Sequence, residues 1–587
     1  MPELVGRLGP PTSRRLTIAP DRRTAWLNEA IRGLLERAGE HAPVMLVMQD
    51  IHHADGGTRE LTTFLARVAR PARLCLIITF GSDALTRGHP VLTDLATMAQ
   101  SSDPPDRLDL EPLARSELVQ LITEIEGERP TAAAVLLVAD RSGGNPLFAE
   151  EILAARRELS SVSLGASLQE LVSARLARRS PECRRLLRLL APAGQPLSEG
   201  EITAAVEVFE RLAVTLPPRS SSLPRRANGG LEPDLQAGLY EAHGHGFVIP
   251  RPDGRLELRH ELIAGAIEAD LLPHQRRRHH EAIAEALDDR PAEALPHWRA
   301  ANRPEAALDA AIAAATLADE LDSPADGLAA RETALELGGA DGPDRAEIGQ
   351  LLIRAGEVAL AAGRPDRALA YLEGATARFG ERLDRATVAG LHEALGRVAR
   401  TLGDHERAIS EHRRAAASVP PEPTVLRARV LASLAQTLML QGLFAEAART
   451  AQTAIEAARE AGLDGRAIEG HATCTLGIAR AWGADPADAI GLLEEARAIA
   501  RSIGHADDTF RATLNLATGL TLLGRREDAI EVTRGAIEEA RRDGLEVAYG
   551  NALRGNIAEG LFLVGRWDEA RDTIRTALEW SPAPEAF

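Results

Sequence analysis

One segment recurs through the second half of this chain at nearly constant spacing, and that period constrains the fold more than any other feature. The copies are GRPDRALAYLEGA from Gly363, GDHERAISEHRRA from Gly403, GLFAEAARTAQTA from Gly442, GADPADAIGLLEEA from Gly483, GRREDAIEVTRGA from Gly524 and GRWDEARDTIRTA from Gly565. Their glycines lie 40, 39, 41, 41 and 41 residues apart. Each unit reads as a helix, a glycine turn, and a second helix that opens near an alanine, as at Ala368, Ala408, Ala447, Ala529 and Ala570. Glycine tolerates the left-handed backbone of a tight turn, and alanine lets two helices cross closely. A degenerate unit begins near Asn302 (NRPEAALDA). A single helix pair cannot bury its apolar face alone, so such units stack. Residues 291–582 are therefore predicted to form an all-α solenoid.

The units resemble tetratricopeptide repeats, with a period somewhat longer than the usual ~34 residues. Composition agrees: aromatic residues make up 3% of the chain, and alanine, leucine and arginine dominate, which suits closely packed helices. Solenoids of this kind form concave surfaces that recognise peptides, proteins or small ligands. A protein or small-molecule effector on the repeats is the partner this predicts.

The N-terminal part has another texture. Apolar residues at helical spacing over 24–39 lead through Pro43 into Val44–Met48, a continuous apolar strand. A second amphipathic helix at 58–69 is broken by Pro71, and Leu74–Phe80 (LCLIITF) is a second apolar strand. Apolar strands alternating with helices predict a parallel sheet covered on both faces. LDLEPLARSELVQLI (108–122) reads as a short strand, a turn and a helix, and 132–157 as helix interrupted by SGGNP at 142–146. From about 167 to 290, two helical stretches precede a Pro/Ser/Arg-rich loop at 216–234. The Pro-Asp-Gly of GFVIPRPDGRLELRH (246–260) then lies between two β-like runs, which signals a hairpin. Helices ending in a hairpin suggest a small winged-helix region, whose plainer role is a packing module rather than a DNA reader.

VMLVMQDIHHAD (44–55) outlines the strand and acidic loop of a Walker B element. The matching phosphate loop needs G-x-x-x-x-G-K-[ST], whose lysine reaches the β/γ-phosphates. All 68 basic residues of this chain are arginine, so no complete phosphate loop is present. Net charge is −18, which disfavours binding to nucleic-acid phosphates. The three cysteines, Cys75, Cys183 and Cys474, lie far apart without a C-x-x-C, which fits a reducing cytoplasm and argues against zinc or a disulfide framework. No run approaches the ~18–20 apolar residues of a membrane span. MPELVGRLGPPTSRR lacks an apolar signal core, and residues 1–23 read as a linker.

VMLVMQDIHHADGGTRELTTFLAR, LCLIITFGSDAL, LDLEPLARSEL, SGGNPLFAEEIL and LRHELIAGAI, ahead of a helical-repeat array, together resemble the large ATP-binding regulators of the LuxR family, members of the STAND class of AAA-type signal-transduction ATPases. The resemblance covers nearly the whole chain. It implies a partial ATPase-like module at 24–160 lacking the phosphate loop, a helical and winged-helix domain at 167–290, the repeat array at 291–582, and a tail at 583–587. It also implies a phosphate loop ahead of this stretch and a DNA-binding helix-turn-helix after it, so the chain reads as truncated at both ends, with no DNA-binding domain of its own.

In the family, the Walker B acids organise Mg²⁺ and polarise the attacking water. Here the pair is Gln49–Asp50, and Gln49 offers a hard cation only a neutral amide oxygen. His53 replaces a tryptophan, and the place of an arginine that senses the γ-phosphate falls near Gly81. Gly144-Asn145-Pro146 matches the motif whose proline packs beside adenine, and Arg259-His260-Glu261-Leu262 matches one whose histidine touches the ADP β-phosphate. The resemblance thus implies a nucleotide-binding remnant of Asp50, Gly144, Asn145, Pro146 and His260. No cofactor is required, ATP or ADP binding is expected to be weak, and hydrolysis negligible.

Each motif has a plainer reading. Asp50 and Asp55 can cap the helix after the strand, Gly-Asn-Pro can be a helix break, and His260 a surface histidine after a hairpin. The adjacent His52-His53 is poorly placed to present both rings to one metal ion. Arg276-Arg277-Arg278-His279-His280 reads as a solvated helix face. Three functions stay open: a non-hydrolysing cytoplasmic signalling scaffold that binds an effector through its repeats; a fragment of an ATP-dependent LuxR-type transcriptional regulator; and the regulatory part of a nucleotide cyclase or kinase system.

Overall fold

The computed structural model describes residues 20–68, 73–81, 85–100, 104–158, 168–213, 233–321, 323–338, 346–483 and 486–580. The loop expected at 216–234 and the tail at 583–587 lie almost wholly outside these residues, as does most of the linker-like N-terminus, whose last residues, from Pro20, belong to a helix. The described residues form two compact units, one made of residues up to 106 with 318–329 and 341–587, the other of 107–317 with 330–340. Helices dominate both, and none is long and apolar enough to cross a membrane.

The chain begins with α1 (Pro20–His41), β1 (Val44–Met48), α2 (Gly56–Val68), β2 (Leu74–Ile78) and α3 (Pro90–Ala99). The two strands pair in parallel, Val44 opposite Leu74 and Met48 opposite Ile78. Among the described residues, cover lies on one face only: Met45, Val47, Cys75 and Ile77 are exposed while their neighbours are half-buried. The reason is the pleat, which sends alternate side chains to opposite faces. Only one face is packed among the described residues, so unbroken apolarity in the sequence did not mean burial on both sides.

In the second unit, α4 (Arg115–Glu126), α5 (Ala132–Ser142) and α6 (Pro146–Glu158) share a core of Leu118, Ile122, Val138 and Leu153. No strand forms at 108–110. Leu108 and Leu110 are fully exposed, no described strand lies beside them, and Pro112 has no N–H to offer a ladder. Helices α7 (Leu168–Ala177), α8 (Pro181–Leu190), α9 (Glu199–Ala213), α10 (Pro233–Gly244), α11 (Glu261–Ala269), α12 (Pro273–Ala286) and α13 (Pro291–Ala300) follow. They surround Leu186, Leu187, Ile202, Phe247, Ile263 and Ile283. Between α10 and α11, β3 (Val248–Pro250) pairs antiparallel with β4 (Leu256–Leu258). The Pro-Asp-Gly turn closes this hairpin, with Arg251 N donating to Arg255 O at 2.7 Å and Gly254 at φ +81°.

Helices α14 (Pro304–Glu320) and α15 (Pro324–Leu337) lead into the array. Its pairs are α16 (Ala346–Ala361) with α17 (Pro365–Phe379), α18 (Arg385–Thr401) with α19 (His405–Ser418), and α20 (Val425–Leu440) with α21 (Phe444–Glu460). They continue with α22 (Arg466–Ala481) and α23 (Pro486–Ile503), α24 (Ala506–Leu522) and α25 (Arg526–Arg542), and α26 (Glu546–Leu563) and α27 (Trp567–Trp580). Five of the six periodic glycines have φ between +69° and +83°. At each, the next residue donates its N–H back across the turn, as Asp404 does to Ala399 O at 2.9 Å, the glycine-stop geometry that terminates helices. Asn302 takes the same left-handed conformation at φ +59°, so the degenerate unit keeps the turn without glycine. Gly483 departs from the series. It is not left-handed, and a Cβ there would meet the Ala479 carbonyl of the preceding helical turn at 2.9 Å, so crowding against the helix end rather than a left-handed backbone distinguishes it. The periodic alanines, such as Ala368, Ala408 and Ala447, are fully buried at the helix crossings.

Candidate functional site

The acidic loop after β1 keeps its shape through the backbone. Asp50 is left-handed (φ +52°), its N–H donates to Thr79 Oγ1 at 3.0 Å, and Ile51 N donates to Thr79 O at 3.0 Å. The Asp50 carboxylate is exposed and caps nothing. Asp55 does cap, accepting from Thr58 N and Thr58 Oγ1, both at 2.8 Å, at the start of α2. Burial alone would raise its pKa, but these hydrogen bonds hold it below the ordinary value. His52 Nδ1 accepts from Gly81 N at 3.4 Å, and the His52 and His53 rings lie 4.0 Å apart, tilted by 42°. Gln49 is exposed at the strand end.

The Gly144-Asn145-Pro146 segment is a helix start. Gly144 sits at φ +83°, and a Cβ there would press on Leu113 O and Pro112 Cβ, both at 2.8 Å. Its carbonyl accepts from Leu113 N at 2.8 Å. Asn145 Oδ1 accepts from Leu147 N at 2.9 Å and Phe148 N at 3.3 Å, so it is the N-cap of α6, and Pro146 fills the first helical position, where a missing N–H costs nothing. His260 does the same for α11: its Nδ1 accepts from Leu262 N at 3.1 Å. Arg259 beside it forms an ion pair with Glu150, one turn into α6. The second unit thus brings Gly144–Pro146 and Arg259–His260 to neighbouring positions. Asp50 belongs to the first unit.

Behind α6 lies a buried ionic cluster that no sequence pattern flagged. Arg175 on α7 is 2% exposed and pairs with Glu151, itself 2% exposed, and with Glu158 at 3.2 Å. It also donates to His245 O at 2.7 Å and lies 4.5 Å from the Phe247 ring centroid. Arg179 reaches Glu158 at 2.8 Å. The basic run at 276–280 is likewise only partly a solvated face. Arg278 stacks on Phe209 and donates to its carbonyl at 3.1 Å, while His279 is buried against the same ring. Burial and the neighbouring Arg278 push His279 down to about 4.

The array carries a second polar system on its successive first helices, α18, α20, α22 and α24. On α18, His392 bonds Glu411 at 2.7 Å, and the buried Glu393 accepts from Ser433 Oγ at 2.8 Å and pairs with Arg397 at 3.0 Å. Burial would raise Glu393, but Arg397, Arg429 and the serine bond outweigh it and hold it below the usual range. Arg400 Nη1 donates to Gln436 Oε1 on α20 at 2.7 Å. Farther along, His471 on α22 bonds Asp508 on α24 at 2.9 Å. Arg511 donates to His471 O at 2.8 Å and to Asp508 at 3.2 Å, and Asn515 Nδ2 reaches Cys474 Sγ at 3.2 Å. Burial opposes the charge on Asp508, but the His471 bond and the charges of His471, Arg511 and His505 depress its pKa strongly. These residues went unnoticed in the sequence because they do not recur at equivalent places from repeat to repeat. The signal that could have found them is polar side chains interrupting otherwise apolar and small helix faces.

The chain is similar in structure to a signal transduction ATPase with numerous domains (STAND) that has a tetratricopeptide repeat sensor, from Pyrococcus horikoshii, with a TM-score of 0.50 at 13% identity, covering 95% of this chain and 79% of that one. The array is a tetratricopeptide-like solenoid. Other similar structures are aspartyl phosphate phosphatase F from Bacillus subtilis (TM-score 0.38, 13% identity, 66% of this chain and 95% of that one) and a thermophilic tetratricopeptide protein from Thermus thermophilus (TM-score 0.25, 23% identity, 33% and 93%). At these identities the likeness concerns the fold alone. No protein-family model and no curated protein matches the chain.

Proposed function

We propose that this protein is a signal-transduction regulator in which the repeat array binds a protein or small-molecule effector, and in which an ATPase-derived module of STAND type serves as a non-hydrolysing scaffold. The observation that carries the reading is the polar system on the first helices of the array, set against the use to which the nucleotide-motif residues are put. Asn145 and His260 spend their side-chain acceptors on helix caps. Asp50 lacks an acidic neighbour at Gln49, and no lysine exists to neutralise phosphate. Phosphoryl transfer depends almost wholly on charge stabilisation, so turnover is not expected. The hairpin and its helices, winged-helix-like in order, act as a packing module whose Arg259 reaches the helix after Gly144–Pro146. An effector then acts by occupancy, shifting the balance between arrangements that bind it differently.

The test has two parts. Phosphate release from ATP should not exceed background, and a measurable rate abolished by Asp50→Asn would sink the non-hydrolysing reading. Partner capture by the immobilised protein should be lost when Gln436, His471 and Asn515 are changed to alanine with an unchanged circular dichroism spectrum. Capture that survives this panel would count against the array as the binding element.

A further inference from the structure

The last helix pair of the array leaves open what earlier pairs bury. Nine residues after the periodic glycine, the second helix carries Leu372, His412, Ala451 and Thr533, all buried, and then Ile574, which is 38% exposed. Thirteen residues after it stand Ile455 and Ile537. Ile455 shares a core with Ala472 and Leu476 of α22, and Ile537 packs against Leu553 and Ile557 of α26. Their counterpart on α27 is Leu578, 52% exposed. In the inner pairs the first helix of the next unit supplies the cover, which is how a stacked array builds its core. Helix α1 packs against α26 yet leaves Ile574 and Leu578 open. Trp567, Ile574 and Leu578 follow one another at seven and four residues, so they form a stripe on one face of α27. Trp567 is 66% exposed and its Nε1 donates to Phe562 O at 3.2 Å, which joins the stripe to the exposed Phe562 and Leu563 at the end of α26. The five side chains expose roughly 500 Å² of apolar surface, at the upper end of what a monomer leaves open. Terminal units of a solenoid ordinarily close with a polar outer face, and this stripe is apolar.

We propose that the stripe is an interface with a second copy of this chain, in which α27 packs antiparallel against α27 of the partner about a two-fold axis near Thr573. An amphipathic helix covers the equivalent positions inside the array, and α27 is itself such a helix. A two-fold contact requires a face that matches itself, and here Trp567 of one protomer comes beside Leu578 of its partner, and the reverse. With the stems of Arg571 and Arg575 at its margin, the face approaches the ~800 Å² that each partner gives to a stable interface. Charge fits the same arrangement. Arg571 pairs with Asp568 at 2.8 Å and Arg575 with Asp572 at 3.2 Å, all four side chains exposed, so these pairs are weak and free to exchange partners. Asp568 and Arg575 are seven residues apart and lie on one flank of the stripe. In the antiparallel pair, Asp568 of one protomer runs alongside Arg575 of its partner, twice per dimer, which fixes direction and register. The inference goes beyond the effector reading, since no residue of the polar system on α18, α20, α22 and α24 takes part.

Sedimentation equilibrium of the full chain over a range of concentrations tests it. The native protein should show a reversible dimer of the 62.8 kDa chain. Ile574→Glu and Leu578→Glu should each weaken dimerisation at least tenfold, with an unchanged circular dichroism spectrum because both side chains are exposed. Leu463→Glu, at a 93% exposed leucine elsewhere on the array, should leave the dimer as it is. Arg575→Glu alone should weaken the dimer, and Arg575→Glu combined with Asp568→Arg should restore it, a recovery that depends on both charges meeting across the two-fold axis. A native chain that stays monomeric at every concentration would overturn the proposal. So would a dimer equally strong in Ile574→Glu and Leu578→Glu, or a double charge variant no stronger than Arg575→Glu alone. A monomer whose stripe instead takes up a helix of a different protein would also overturn it. None of these results bears on effector capture through Gln436, His471 and Asn515, so the two readings fail separately.

Discussion

Removing Arg175 should destabilise the second unit more than any surface charge could. Its guanidinium is engaged on every side: by Glu151 and Glu158, by the His245 carbonyl at 2.7 Å, and by the Phe247 ring at 4.5 Å. Glu158 keeps Arg179 and His245 as partners when Arg175 is gone. Glu151 keeps none among the ion pairs formed by the described residues, and it is 2% exposed. Arg175→Ala therefore strands a buried carboxylate, which costs about 3–5 kcal/mol. The lost hydrogen bond to His245 lies within that figure at about 1 kcal/mol. Arg175→Met combined with Glu151→Leu removes both charges and fills the space with apolar atoms, and such replacements are close to neutral. The double variant should thus recover most of the loss, leaving a coupling energy well above the ~0.5 kcal/mol expected of independent sites. The assay is urea unfolding followed by Trp298, which packs against this core, with the other four tryptophans replaced by phenylalanine. A cost for Arg175→Ala near 1 kcal/mol, or no rescue by the double variant, would refute the argument that the pair is buried and mutually dependent.

Three further outcomes are expected. Asn145→Ala should cost about 1 kcal/mol through loss of the α6 N-cap, read as a lower urea midpoint for the second unit; an unchanged midpoint would remove the capping role. Gly403→Ala should cost about 1 kcal/mol from left-handed strain alone, since nothing lies within 4 Å of its new Cβ, whereas Asn302→Gly should change little; equal effects would contradict the turn assignment. The array should lose stability with acid because of His412, which burial holds down to about 4 from 6.5 in the unfolded chain. The unfolded state then binds the proton first, so stability falls as pH drops from about 6.5 to about 4 and levels off below, by at most about 3 kcal/mol. His412→Gln should flatten that part of the profile, and an unaltered slope between pH 7 and 4 would show that other groups set it.

The repeat array was legible because its constraints are local. A left-handed turn needs glycine, a close crossing needs alanine, and both recur with the period, so the helix pairs could be placed from residues alone. Asn302 shows the rule working through another residue type, and Gly483 shows its limit, since a glycine crowded by its own helix end looks the same in sequence as one placed for a left-handed backbone. The hairpin at 246–260 was legible for the same local reason, through Pro-Asp-Gly. What failed depended on distant partners. Val44–Met48 and Leu74–Ile78 are uniformly apolar, yet among the described residues packing covers only one of their faces, and LDLEP alternates like a strand with no described strand to pair with. The plain reading of Asn145 as part of a helix break was open in the sequence, and the cap geometry bears it out. The Arg175–Glu151 pair and the Arg400–Gln436 contact were invisible, because 24 and 36 residues separate their partners and no motif links them.

Native mass spectrometry of the protein purified gently from its own source tests the central claim most directly. The account predicts an added mass that is neither ADP nor ATP, carried by the native chain and lost from the Gln436, His471 and Asn515 panel. An adduct with the mass of ADP or ATP that survives those substitutions and disappears with Asp50→Asn would contradict it, because nucleotide on the ATPase-derived module would then be the ligand the protein is built to hold.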